Sequence, residues 1–322
     1  MCYSAQIRAD FRKYEREFGA GLSIHQFAKL FWEKKKDGGW QKIPKAMKAA
    51  FAKPRTDGER EVLAIIREAD AEQARAFESE LFQQKTRLNN AERSLQTKPT
   101  KKAQNDQRIA RDKIARAQRN LEDLRRDNLL DRDSRIYPGQ YAPVMVVKDG
   151  KRLIVPMRYQ CRLPGWSEGV ERKFPGTYNA RRDKLEETWS RLFGHHHGVM
   201  VVEAFYENVS RHKVEHRELA PGEKEESVVL EFRPNPPHDM LLACLWSYSK
   251  GTRPDEPDLF SFAAITDEPP PEIAAAGHDR CIIPIKPEHL DAWLNPDPNN
   301  LAALYAILDD RDRPYYEHRL AA

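Results

Sequence analysis

Ala142-Pro-Val-Met-Val-Val147 and Arg152-Leu-Ile-Val155 stand on either side of Asp149-Gly150. Two apolar, β-branched runs around Asp-Gly predict a β-hairpin, because its tight turn needs positive φ and these two residue types tolerate it. The same texture recurs toward the C-terminus. Gly198–Tyr206, Ser227–Phe232, Met240–Trp246, Phe260–Thr266 and Cys281–Ile285 are further strand candidates, and Pro287–Leu294 reads as a short helix with proline at its first position. Six or more strands with few helices between them predict a mainly antiparallel sheet that curls into a barrel-like form over residues 134–322. Toward the N-terminus the period changes. Residues 1–8 are a short strand candidate, whereas 9–133 read as helical. Ile24, Phe27, Leu30 and Phe31 line one helix face, and Phe77, Leu81, Leu88 and Leu95 continue at helical spacing. Thr97-Lys98-Pro99-Thr100 breaks the run. Beyond it, Ile114, Ala117, Leu121 and Leu124 have coiled-coil spacing, so an antiparallel helical hairpin is expected over about 58–130. The expected fold class is α+β, with one domain made from 1–8 and 134–322 and a large helical insertion at 9–133.

Composition narrows the function classes. The chain has 322 residues, enough for a substantial core. Fifty-four Lys and Arg against fifty Asp and Glu leave a net charge of +4, so a nucleic-acid site must come from local clustering rather than a global field. No apolar run approaches the roughly eighteen residues of a membrane span, and the polar N-terminal segment lacks a secretory h-region. Cysteines stand at 2, 161, 244 and 281, too far apart in sequence for a C-x-x-C metal pair. A reducing cytoplasm, with nucleoid association, is the expected location, and no cofactor or metal is expected. Cys161, Cys244 and Cys281 read as small buried hydrophobes. The His195-His196-His197 tract reads as a solvated turn in preference to a metal site.

Cys2 differs because of its position. Removal of Met1 leaves a cysteine with a free α-amine, a 1,2-aminothiol. The amine titrates at about 7.7–8.0 and the thiol at about 8.5, so both are nucleophilic near neutrality. Amine and aldehyde give an imine, and the thiol closes on it to a five-membered thiazolidine. The ring-opened sugar of an abasic site in DNA is an aldehyde of this kind.

Ile136-Tyr-Pro-Gly-Gln-Tyr-Ala-Pro-Val144, Leu163-Pro-Gly-Trp166, Tyr178-Asn-Ala-Arg181, Val202-Glu-Ala-Phe-Tyr-Glu207, Ile265-Thr266 and His278-Asp-Arg-Cys-Ile-Ile-Pro284 follow in that order. With Met1-Cys2 they resemble the SOS-response-associated peptidase family, the abasic-site-processing proteins, over about 1–8 and 134–296. The resemblance implies a single domain around a curled sheet, with Cys2 as the crosslinking nucleophile on abasic single-stranded DNA. It implies Glu207 and His278 as the acid–base pair, and Asn179 as the residue holding the N-terminus. It further implies Arg181 on a phosphate, Trp166 as a stacking aromatic and Thr266 lining the site. Loss of Met1 by autocleavage and abasic-site lyase activity are part of the same expectation. A carboxylate beside an α-ammonium can take its proton, and a histidine, titrating at about 6.5, can exchange a proton at the sugar oxygen.

The chain departs from the family pattern at Tyr3-Ser4, where relatives carry Gly-Arg, so the phosphate grip falls to Arg8 or Arg181. Asn208 stands where an aromatic is common. The helical insertion is the largest departure. Its cations, among them Lys98, Lys101, Lys102, Arg108, Arg111 and Arg116, are interspersed with carboxylates, which favours a protein partner or a solvated arm over DNA. The alternative function is a non-catalytic nucleic-acid or protein interaction module acting through that hairpin. A protease using Cys2 on other substrates is a third.

Overall fold

In the computed structural model, residues 3–215, 217–251 and 256–321 are described. The strands are β1 (Ser4–Ile7), β2 (Gly21–Leu22), β3 (Arg135–Ile136), β4 (Tyr141–Lys148), β5 (Lys151–Tyr159), β6 (Asn179–Arg181), β7 (His197–Ser210), β8 (Ser227–Asn235), β9 (Met240–Ser249), β10 (Leu259–Asp267), β11 (Cys281–Ile282), β12 (Pro284–Ile285) and β13 (Tyr315–Leu320). They form one 13-stranded sheet whose main path runs β12-β9-β10-β5-β4-β7-β1-β3. Most neighbours are antiparallel. The exceptions are β10 beside β5, β10 beside β6, and β2 beside β5.

The Asp-Gly turn behaves as its chemistry dictates. Asp149 and Gly150 have φ of 51° and 70°, and β4 and β5 close on them with Lys148 opposite Lys151. The sheet curls because β9 pairs with β10 on one side and with β7 on the other, so the path from β9 through β10, β5 and β4 reaches β7 and returns. The joint between β4 and β7 is the single pair Met145–Val199, and β1, β3, β8 and β13 branch away from it. The result is a curled, branched sheet rather than a uniformly closed barrel. Strand β13 pairs with β8 along six residues, from Tyr315 opposite Asn235 to Leu320 opposite Leu230. Its sequence, Tyr-Tyr-Glu-His-Arg-Leu, carries too much charge to read as a strand unaided.

The chain divides into two compact units, residues 1–53 with 131–322, and residues 54–130. The helical insertion expected at 9–133 is therefore shorter. Helices α1 (Phe11–Phe18), α2 (Ile24–Lys36) and α3 (Lys45–Ala49) belong to the larger unit. The physical reason is an aromatic cluster. Phe51 lies 5.2 Å from Phe11, 5.5 Å from Phe27 and 5.8 Å from Phe31 between ring centroids, and all four rings are buried. Apolar area of that size is stable only when covered. Strand β2 then ties the segment to β5, with Gly21 opposite Leu153.

The smaller unit is the pair α4 (Asp57–Thr97) and α5 (Lys101–Arg125), joined around Pro99. Thr56 and Thr100 cap their N-termini, each accepting from a backbone N–H three residues on. The helices run antiparallel: Glu78 pairs with Arg125, Glu80 with Lys113, Arg87 with Asp106 and Glu92 with Arg111. The seam follows the expected row of Ile114, Ala117, Leu121 and Leu124 only in part, since Ile114 and Leu124 are half-exposed. Its inner members, Ala117 and Leu121, are buried, and Ala103 and Ala110 extend the seam at seven-residue intervals from Ala117. Small side chains at that interval let the two backbones approach closely. Among the described residues no helix is long and apolar enough to cross a membrane.

Candidate active site

Strand β7 has a hydrophobic, Val-rich centre and a polar end. Phe205, Tyr206 and Glu207 alternate across the sheet, so Glu207 follows Phe205 onto the packed face. Its side chain is fully buried. A carboxylate is placed there only with a compensating group, and His278 supplies one: its Nε2 lies 3.1 Å from Glu207 Oε2. Gly277, at φ 93°, makes the sharp turn that brings the ring in, and the His278 N–H donates to the Ile273 carbonyl. Nδ1 lies 2.8 Å from the Arg280 carbonyl oxygen and 3.3 Å from the Arg280 backbone nitrogen, which fixes the ring orientation. The pair is thus built to give or take a proton.

Strand β1 lies alongside, antiparallel to β7, with Ser4 opposite Tyr206 and Ala5 opposite Phe205. The chain entering β1 therefore starts next to Glu207. Met1 and Cys2 lie outside the described residues. Tyr3, the first described residue, is 43% exposed and sits edge-on to Tyr137 (5.8 Å) and Tyr178 (6.3 Å).

Asn179 is buried on β6, opposite Ala264 of β10, and its Oδ1 accepts a long 3.5 Å hydrogen bond from Tyr159. Thr266 lies two residues along β10, opposite Arg181 in register and opposite Ile282 of β11. It is 1% exposed and its Oγ has no hydrogen-bond partner among the described residues. Strand β11 links this corner to the acid–base pair. The negative charge of Glu207 reaches Cys281, whose thiol is raised well above its usual range, chiefly by burial and then by that carboxylate. Arg181 feels the charge of Asp279, the neighbour of His278.

The arginines expected to hold DNA are differently placed. Arg181 is exposed and chelates Asp183 through Nε and Nη2 at 2.8 and 2.7 Å. Arg8 donates Nε and Nη2 to Asp239 and pairs through Nη1 with Glu203 at 2.6 Å. Both ends of the Arg8 fork are thus held by carboxylates. Trp166 packs on Phe174, centroids 5.2 Å apart, and Phe174 is itself 55% exposed. The pair is an exposed aromatic surface on a capped turn.

Two sets of residues were read differently from sequence. His197 is no solvated turn. It is 2% exposed, its Nε2 accepts from the Gly194 N–H, and its Nδ1 contacts the Trp293 carbonyl at 3.1 Å. Burial pushes it down to about 3, so it stays neutral. Tyr137 and Tyr178 stand in the ordered motifs without a role of their own, and Arg135 is one of many arginines in the sequence. Only the pairing of β3 with β1 brings Arg135 to Ser4. Cys161 and Cys244 are fully buried with thiols pushed up to about 12, which makes them inert. No group of three or more His, Cys, Asp or Glu among the described residues is arranged to hold a metal.

Comparison with known proteins bears on this geometry. Three crystal structures share the fold only loosely. A protein from Bordetella bronchiseptica is 15% identical, with a TM-score of 0.45 over 59% of this chain and 87% of its own. One from Bacteroides thetaiotaomicron is 13% identical, with a TM-score of 0.45 over 59% and 78%. A phage-related protein from Bordetella bronchiseptica is 18% identical, with a TM-score of 0.44 over 62% and 85%. No curated protein matches the sequence. The family model of SOS response associated peptidases (SRAP) matches residues 93–319, well over half of the chain, and spans Asn179, Glu207, Thr266 and His278. This membership links the protein to the cellular response to DNA damage. The chain belongs to the SRAP family.

Proposed function

We propose that the protein captures abasic sites in single-stranded DNA by forming a thiazolidine between Cys2 and the ring-opened sugar. The observation that carries this reading is the buried Glu207–His278 pair beside the strand that leads back to the N-terminus. His278 protonates the ring oxygen while the anomeric hydroxyl releases its proton to water, so that the sugar opens to its aldehyde, and Glu207 accepts the proton of the α-ammonium. The amine nitrogen attacks the aldehyde carbon, the C=O oxygen leaves as water, and the resulting imine carbon accepts the thiolate sulfur. A proton then moves to nitrogen, and the ring is closed. Asn179 orients the amine, and the free Thr266 hydroxyl faces the same corner. Trp166 with Phe174 offers a stacking surface for a flanking base. The same acid–base pair serves removal of Met1 by cleavage of the Met1–Cys2 peptide bond, and β-elimination from the imine gives lyase activity as a competing outcome.

The test is direct. Purified protein is mixed with single-stranded DNA carrying one abasic site and run on a denaturing gel, with intact mass read in parallel. A shifted band that resists denaturant, absent with Cys2→Ala and absent on undamaged DNA, is the expected result. Equal behaviour of wild type and Cys2→Ala would remove the proposal.

A further inference from the structure

We propose that Arg135 is a phosphate-binding residue, taking a phosphodiester oxygen of a single nucleic-acid strand at the start of the N-terminal strand. The location rests on the abasic-site reading above; the phosphate contact rests on the arginine itself. Strand β3 pairs with β1 so that Arg135 stands opposite Gln6 and Ile136 opposite Ala5. Alternation then separates the two faces. Ile136, Ala5 and Phe205 go to the core, while Arg135 joins Ser4, Gln6 and Tyr206 on the other side. There its Nε donates to Ser4 Oγ at 3.0 Å, and its guanidinium carbon lies 3.7 Å from the Tyr206 ring centroid and 5.1 Å from that of Tyr137.

The environment differs from that of the other arginines near the site. Arg8 holds Asp239 and Glu203, Arg181 holds Asp183, and Arg233 holds Glu231. Arg135 has no carboxylate within ion-pair distance among the described residues, and its two Nη groups donate to no described acceptor. Contact with the Tyr206 face, together with the Ser4 hydrogen bond, holds the guanidinium while leaving its Nη donors unused. That leaves a charged two-donor fork, pre-oriented and half-exposed, which matches a phosphate. Tyr137, touched by the same guanidinium, abuts the exposed ring of Tyr3. A cation beside an aromatic surface is the combination that single-stranded nucleic acid occupies. Ser4 is part of the device: its short hydroxyl anchors Nε, and it contributes no charge to compete for the phosphate.

The experiment separates phosphate binding from aldehyde chemistry. Binding of a fluorescein-labelled undamaged oligodeoxynucleotide is followed by anisotropy across a KCl series, for wild type, Arg135→Gln and Arg135→Lys. Reaction with glyceraldehyde, which carries no phosphate, is followed by intact mass. Arg135→Gln is expected to bind about tenfold more weakly, as loss of one charged contact implies, and to lower the salt slope by ~0.7. Arg135→Lys is expected to keep the slope while losing part of the affinity, and the glyceraldehyde adduct is expected to form at the wild-type rate in both variants. Wild-type affinity and slope in Arg135→Gln would overturn the assignment. Should that variant melt early, a single methylphosphonate scanned along the oligonucleotide decides instead. One neutralised position must weaken wild type about tenfold and Arg135→Lys by less, and equal losses in both proteins count against Arg135. If wild type forms no aldehyde adduct at all, the thiazolidine reading fails while the anisotropy arm still decides the role of Arg135.

Discussion

Glu207→Gln should separate activity from stability. The substitution keeps the shape of a side chain that is fully buried on β7. It removes a carboxylate 3.1 Å from His278 Nε2, which as a charged pair is worth about 5 kcal/mol of attraction at an effective dielectric near 20. Against that loss stands the desolvation cost of a buried carboxylate, several kcal/mol, which disappears with the charge. The two nearly cancel, so unfolding free energy is expected to change by no more than about 2 kcal/mol in either direction. Catalysis has no such compensation. An amide cannot accept the α-ammonium proton or share one with His278, and loss of a positioned acid–base group slows a reaction by roughly 10²–10⁴-fold, or about 3–5 kcal/mol of barrier. The assay is the initial rate of denaturant-resistant crosslink on abasic single-stranded DNA, alongside urea unfolding of the same preparations. Capture at the wild-type rate by Glu207→Gln refutes the proton-transfer argument. A loss of rate matched by loss of the folded state assigns Glu207 a structural role instead.

Two further outcomes test the fold. His197, held near 3 in the folded state against about 6.5 when unfolded, binds a proton only on unfolding between those values, so stability falls as pH drops through this window. Between pH 7.5 and 4.5 its share is about 2–3 kcal/mol, seen as a shift in urea midpoint that His197→Gln should flatten; identical pH profiles would contradict it. Phe51→Ala, which opens the cluster of Phe11, Phe27 and Phe31, should cost about 3–5 kcal/mol in chemical unfolding. A loss under 1 kcal/mol would mean that residues 9–53 are not part of the core.

Much was legible from local chemistry. Asp149-Gly150 specified its hairpin because few residue pairs accept two positive φ values, and Pro99 marked the turn between α4 and α5 because proline cannot continue a helix. Glu207 and His278 could be named because they stand in ordered motifs, not because their spacing predicts contact across 70 intervening positions. The boundary of the helical region was misplaced for a related reason. A helix packed on a sheet and a helix packed on another helix carry the same one-face apolar pattern, so α2 in the larger unit and the α4–α5 hairpin read alike. His197 read as solvent-facing because three consecutive histidines resemble a polar turn. Its burial depends on Trp293, almost a hundred residues away, supplying a carbonyl.

The α+β class, most of the strands, the hairpin and the residues capable of acid–base chemistry follow from periodicity, turn conformation and side-chain type. Which charges are neutralised by a partner follows from the folded arrangement alone. Arg8 and Arg181 are held by Asp239 and Asp183, and Arg135, unremarkable in sequence, keeps its fork unpaired over Tyr206. Ion pairing acts over a few ångströms in space, and strand register, not order along the chain, sets which charges come within that distance.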